Sequence, residues 1–132
     1  MTNQDIGARI KASIEDDGRV SCATLHRIAR KLQVEPIVVG EVATALELRA
    51  CHCQLGLFGY GPKEEGKWRI VESGMDVSEE LEGRMRHSLV SGRLPCMTAW
   101  EIASEFKLKR LDLGNAAETL GISISPCQLG FF

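Results

Sequence analysis

The apolar positions along the chain predict six helices in two similar groups of three. Each group opens with apolar residues spaced by four, which lie on one face of a helix: Ile6, Ile10 and Ile14 in the first group, and Leu81, Met85 and Leu89 in the second. The predicted helices cover residues 4–16, 23–32, 36–48, 77–90, 98–106 and 110–120. Asp76, followed three residues later by Glu79, is expected to begin the fourth helix.

The two halves of the chain also repeat one another at a spacing of 74 residues, the distance from Gly18 to Gly92. The Cys-Gln-Leu-Gly segment at 53–56 recurs at 127–130. Residues 18–58 align with 92–132 without a gap and share 14 identities over 41 positions, an agreement that is improbable by chance. The sequence therefore predicts a duplicated unit, with the first copy at 1–72 and the second at 73–132.

Short β-stretches are expected after Gly18 and Gly92, and an extended segment closes each unit. Residues 56–66 are rich in glycine and predict a turn, while residues 67–72 alternate apolar and polar side chains as a strand does. The predicted fold class is mainly α with short β-hairpins.

Composition and charge narrow the function only in part. Hydrophobic residues make up 44% of the chain and charged residues 26%, as in an ordinary globular protein. No apolar run approaches the roughly 20 residues that cross a bilayer, and no secretory signal is visible, so a cytoplasmic protein without a membrane partner is expected. The net charge of −2 gives no positive excess for nucleic acid, although it allows a local basic patch. Because no nucleophile stands beside a base at a recognisable spacing, no enzymatic activity is predicted.

The order of elements resembles the winged helix-turn-helix superfamily, in which a helix, a short strand, two helices joined by a tight turn and a hairpin follow one another. The apolar and small positions of the helix pair are Ile28, Ala29, Leu32, Val34, Val39 and Val42 in the first unit, and Ile102, Ala103, Phe106, Leu108, Leu113 and Ala116 in the second. Gly40 and Gly114 are expected to deepen the approach of the two helices. The resemblance covers most of the chain. It implies two winged-helix-like units in tandem that bind double-stranded DNA through the third helix of each unit.

The resemblance implies a DNA-binding, transcription-regulator-like function carried mainly by the second unit. The predicted nucleic-acid-binding residues are Lys107, Lys109, Arg110 and Asn115 in the second unit, and Lys63, Lys67 and Arg69 in the hairpin of the first. Arginine and asparagine are residue types that read guanine and adenine edges. Glu35, Glu41 and Glu47 oppose binding by the first unit, because carboxylates repel phosphates.

Two other functions remain open at this stage. The first is a protein–protein interaction module, in which Leu57-Phe58 and Phe131-Phe132 meet a protein partner or a second copy, unless they close the core of their own units. The second is a cysteine-ligated metal or redox-sensing regulator.

Five cysteines are the candidate metal ligands: Cys51, Cys53 and Cys127 first, then Cys22 and Cys96. Since the usual C-x-x-C spacing is absent, buried structural thiols without a cofactor are favoured over a metal or iron–sulfur site. Disulfides within each unit, Cys22 with Cys53 and Cys96 with Cys127, are the third alternative.

Overall fold

The computed structural model describes residues 3–132 as six α-helices with one short two-stranded sheet. Met1 and Thr2, the first residues of the predicted first unit, lie outside the described part. In chain order the elements are α1 (Asn3–Lys11), β1 (Arg19–Ser21), α2 (Cys22–Leu32), α3 (Pro36–Ala45), β2 (Arg49–Cys51), a 3-10 turn (Lys63–Glu65), α4 (Glu79–His87), α5 (Cys96–Glu105) and α6 (Arg110–Leu120). Over the described range, no helix is both long and apolar enough to cross a membrane.

The chain forms two compact units that do not follow chain order. Unit 1 contains Met1–Cys53 together with Gln128–Phe131, and unit 2 contains Gln54–Cys127 together with Phe132. This grouping differs from the predicted boundary after residue 72. Both Cys-Gln-Leu-Gly segments are divided between the units. Cys53 belongs to unit 1 and residues 54–56 belong to unit 2, whereas Cys127 belongs to unit 2 and residues 128–130 belong to unit 1.

In unit 1, α2 and α3 form a helix pair against which α1 packs. The Ser21 hydroxyl caps α2 by accepting a hydrogen bond from the Thr24 N–H at 3.2 Å. Pro36 begins α3, where its missing N–H costs no helical hydrogen bond. β1 and β2 pair in parallel, with Val20 opposite Ala50. The fully buried apolar side chains of this unit include Ile6, Ile10, Leu25 and Val39.

In unit 2, α5 and α6 form the corresponding pair, and α4 packs against α5. Leu94 and Ile124 form a parallel bridge at the positions that correspond to Val20 and Ala50 in the alignment. The positive backbone φ angles recur at the same spacing: Gly18 and Gly92 have 81° and 79°, Gln33 and Lys107 have 57° and 56°, and Gly56 and Gly130 have 81° and 82°. The two halves therefore share these backbone angles and this bridge at aligned positions.

The helices predicted from apolar spacing are all present, but several of their starts and ends differ. α3 ends at Ala45 instead of residue 48, α4 covers Glu79–His87 instead of residues 77–90, and α5 begins at Cys96 instead of residue 98. α1 ends at Lys11 instead of residue 16, because Ser13 donates a side-chain hydrogen bond back to the Arg9 carbonyl at 3.0 Å and the chain then turns tightly. Asp76 does not begin α4. The cap is Ser78, whose hydroxyl accepts from the backbone N–H of Leu81 at 3.1 Å.

The predicted β-hairpins are wrong for the described residues, because the two strands pair in parallel and residues 67–72 form no strand. Two backbone hydrogen bonds, at 3.3 and 2.7 Å, close the loop between residues 60–61 and 67–68. Beyond it, the chain pairs with side chains of α6. The Glu72 N–H donates to Asn115 at 2.8 Å, and the Met75 N–H donates to Thr119 at 3.1 Å. These backbone donors are therefore used without a partner strand.

Each repeated Cys-Gln-Leu-Gly segment covers a glycine of a third helix. In unit 1, a Cβ at Gly40 would lie 2.6 Å from the carbonyl carbon of Leu129, and in unit 2 a Cβ at Gly114 would lie 2.9 Å from that of Leu55. Both leucine side chains are buried. The close approach at these glycines is thus to the backbone of the segment, and not to the other helix of the pair as the sequence predicted.

Candidate functional site

Two of the predicted DNA-reading side chains are held by neighbours within unit 2. The Arg110 guanidinium lies over the Trp100 ring, 3.5 Å from its centroid, and also donates to the Gln54 side chain. Asn115 accepts the backbone N–H of Glu72 with its amide oxygen at 2.8 Å. These contacts occupy the groups that base recognition would use.

The predicted basic side chains of the loop are also engaged within unit 2. Arg69 pairs with Glu118 at 2.6 Å, and the Lys63 ammonium lies 4.7 Å from the centroid of the Trp68 ring. Lys67 stands 4.0 Å from an acidic neighbour in the same loop. Five of the seven predicted residues therefore contact neighbours within unit 2.

Lys107 and Lys109 are exposed at the turn before α6, as the sequence predicted. The Asp112 carboxylate accepts the backbone N–H of Lys109 at 3.2 Å, which places a negative charge at the start of the same helix. Residues 107–112 therefore carry three cations and one carboxylate, a net charge of +2.

A basic face that the sequence analysis did not single out lies on α2. Arg27, Arg30 and Lys31 are exposed and stand three and four residues apart, so they are neighbours on one side of the helix. Among the described residues, none of the ion pairs involves them. The aligned positions of α5 carry Glu101, Ser104 and Glu105. The pair of α5 and α6 therefore forms without positive charges at these positions, so such a helix pair does not need them to fold.

All five cysteines are buried, and none of them forms a disulfide. The structure therefore contains neither of the two disulfides considered as an alternative. Cys22 and Cys96 are the first residues of α2 and α5, and both are buried. Cys53 lies in unit 1 and Cys127 in unit 2.

Cys51 shares its surroundings with two other side chains that can bind metals. Its Sγ lies 3.1 Å from Glu15 Oε2 and 3.2 Å from His52 Nδ1. The ligand atoms of the three residues all lie within 4.8 Å of one another, and residues 3–132 contain no second such group of His, Cys, Asp or Glu. Cys51 is fully buried while Glu15 and His52 are exposed, so the cluster opens to solvent.

The parallel strand pair brings this cluster together. Cys51 ends β2 opposite Ser21, the last residue of β1. Glu15 begins the turn that leads into β1, and its N–H donates to the Arg19 carbonyl at 2.8 Å. His52 follows β2 with a positive φ of 51°, and its Nδ1 contacts the Sγ of the preceding cysteine. Of these three residues, only Cys51 was predicted from the sequence as a metal ligand.

Burial and the hydrogen bond to Glu15 raise the pKa of the Cys51 thiol to about 12. The thiol donates to the Glu15 carboxylate and stays protonated near neutral pH. Since the thiolate is the nucleophilic form of cysteine, this arrangement is unsuited to covalent catalysis.

Comparisons with known proteins give no relative from which a function can be transferred. No protein-family model matches the sequence. No curated protein and no solved structure matches it significantly. The function is therefore inferred from the residues of the chain itself.

Proposed function

We propose that this protein is a non-enzymatic, winged-helix-like DNA-binding regulator that contacts the phosphate backbone through α2. The observation that supports it is the exposed basic face formed by Arg27, Arg30 and Lys31. In helix-turn-helix docking, the first helix of the pair crosses the backbone while the second reads the bases. α2 is the first helix of its pair, so its positive charges suit contacts with phosphates.

The composition of α3 favours binding without base recognition. Glu35 and Glu41 are exposed at its start and middle, and Glu47 is exposed just beyond its end. Carboxylates in the major groove would be repelled by phosphates, whereas phosphate contacts position a protein without reading sequence. The proposed binding is therefore independent of DNA sequence and sensitive to salt.

The proposed binding surface lies in unit 1, whereas the sequence predicted one mainly in unit 2. Arg110, Asn115 and Arg69 are engaged by neighbours within unit 2, whereas the α2 cations have no ion-pair partner among the described residues. Three phosphate contacts release roughly three counterions, so the affinity should be modest and highest at low ionic strength.

Fluorescence anisotropy with a labelled random-sequence duplex tests the proposal. The test variant combines Arg27→Glu, Arg30→Glu and Lys31→Glu. The matched control combines Lys63→Glu, Lys107→Glu and Lys109→Glu, which change the net charge equally at exposed positions of unit 2. We expect the wild-type protein and the control to bind at about 20 mM salt, and the α2 variant to lose binding, because phosphate contacts dominate such affinity.

Three results would contradict the proposal. Equal loss in both triple variants would mean that net charge, and not α2, decides binding. Greater loss in the unit 2 control would restore the surface that the sequence predicted. Absence of binding by the folded wild-type protein would reject DNA binding and favour the interaction-module alternative, for which light scattering would next test for a homodimer.

A further inference from the structure

We propose that Glu15, Cys51 and His52 form a binding site for one divalent transition-metal ion of the zinc class. The proposal does not rest on the nucleic-acid function proposed above. The site lies in unit 1, where a buried sulfur meets an exposed carboxylate and an exposed imidazole.

The chemistry of the three donors selects the class of ion. Thiolate and imidazole are preferred ligands of zinc and related transition metals, and a carboxylate commonly completes such sites. Calcium and magnesium instead prefer all-oxygen ligands. The site should therefore discriminate against these two hard cations.

The distances are close to those that a tetrahedral ion requires. Bonds of about 2.0–2.3 Å to zinc place the ligand atoms about 3.3–3.7 Å apart. The Cys51 Sγ already stands 3.1 Å from Glu15 Oε2 and 3.2 Å from His52 Nδ1. Because Glu15 and His52 are exposed, small rotations of these two side chains would admit the ion without moving the strands.

The second repeat shows that the fold does not need this cluster. The Glu15 N–H donates to the carbonyl of Arg19 at 2.8 Å, and the Val90 N–H donates to the carbonyl of Arg93 at 2.7 Å. Arg19 and Arg93 are aligned, so Glu15 and Val90 are equivalent residues: each donates its N–H to the first extended residue of its repeat. The residues equivalent to the three proposed ligands are Val90, Ser125 and Pro126. The second repeat thus forms its parallel bridge without any of the ligand side chains.

Charge and proton balance are satisfied by the same three residues. Metal binding would displace the thiol proton that Cys51 now shares with Glu15, and this proton passes to solvent. The resulting thiolate and the carboxylate together neutralise a divalent ion. Three protein ligands leave one coordination position open, as in exchangeable sites and unlike closed four-ligand structural sites.

Cobalt titration of the reduced, full-length protein tests the site, because cobalt(II) bound to a thiolate gives a charge-transfer absorption in the near ultraviolet. We expect this band to saturate at one equivalent of cobalt and to disappear when zinc is added. Cys51→Ser should abolish the band. His52→Asn and Glu15→Gln should each weaken binding at least tenfold, because each removes a ligand. Asparagine is chosen at position 52 because it tolerates the positive φ.

The matched control is His87→Asn, which removes an exposed histidine of α4 and should leave cobalt binding unchanged. Circular dichroism confirms that each variant is folded, and the exposed positions of Glu15 and His52 keep the test valid if Cys51→Ser unfolds. The proposal is overturned if folded wild-type protein shows no saturable band. It is also overturned if His52→Asn and Glu15→Gln bind as tightly as wild type, or if folded Cys51→Ser retains the band.

Discussion

Replacing Gly114 with alanine tests whether the first Cys-Gln-Leu-Gly segment is seated on α6 as described. The new Cβ would overlap the Leu55 carbonyl oxygen, lie 2.9 Å from the carbonyl carbon and stand 3.1 Å from Val71 Cγ1. The nearest obstacle is backbone, so the segment must move to make room. Overpacking of this kind costs about 3 kcal/mol, and alanine returns about 1 kcal/mol of helix propensity. We expect a net loss of about 2 kcal/mol.

Urea and thermal unfolding followed by circular dichroism measure this loss. For a chain of this length, about 2 kcal/mol corresponds to a fall in Tm of roughly 6–10 °C. Gly83→Ala on α4 is the matched control, because its Cβ would meet nothing within 4 Å. The control should gain about 0.5–1 kcal/mol. The reasoning is refuted if Gly114→Ala is as stable as wild type, or if it gains stability as Gly83→Ala does.

Three further predictions concern a helix cap, an ion pair and a thiol. Ser78→Ala removes the hydrogen bond to the Leu81 N–H and should cost about 1 kcal/mol in urea unfolding. The Arg84 hydrogen bonds lower the pKa of Glu105 below that of an ordinary glutamate, so this pair contributes stability above the ordinary pKa and loses it as the pH falls. Glu105→Gln should therefore reduce the acid dependence of Tm. Iodoacetamide should modify Cys51 more slowly in the native than in the urea-unfolded protein, because burial raises its pKa to about 12; peptide mass spectrometry measures the two rates.

The sequence predicted the helices well because their apolar faces repeat and because the two halves could be compared. It could not predict how the Cys-Gln-Leu-Gly segments are placed. Their burial depends on a carbonyl seated on Gly40 or Gly114, and this long-range contact leaves no local periodicity. The same limit explains the wrong strand at 67–72, where the Glu72 N–H donates to the Asn115 side chain of α6 and not to a neighbouring strand.

The cluster of Glu15, Cys51 and His52 was missed because Glu15 and Cys51 are 36 residues apart and meet through the parallel pairing of β1 and β2. Metal-ligand spacing along the chain therefore gave no signal. Comparison of the two repeats did give a signal, because Ser125 and Pro126 stand in the second repeat where Cys51 and His52 stand in the first. Differences between otherwise similar repeats thus point to residues that folding alone does not require.

The salt dependence of duplex binding tests the proposed function most directly. Neutral substitutions Arg27→Gln, Arg30→Gln and Lys31→Gln remove the three α2 charges without adding repulsion. Each cation that neutralises one phosphate contributes roughly 0.9 to the slope of log affinity against log salt. Loss of all three should therefore reduce the magnitude of the slope by about 2.7. Lys107→Gln with Lys109→Gln should leave the slope unchanged. An unchanged slope in the α2 variant, or a reduced slope in the unit 2 variant, would contradict binding through α2.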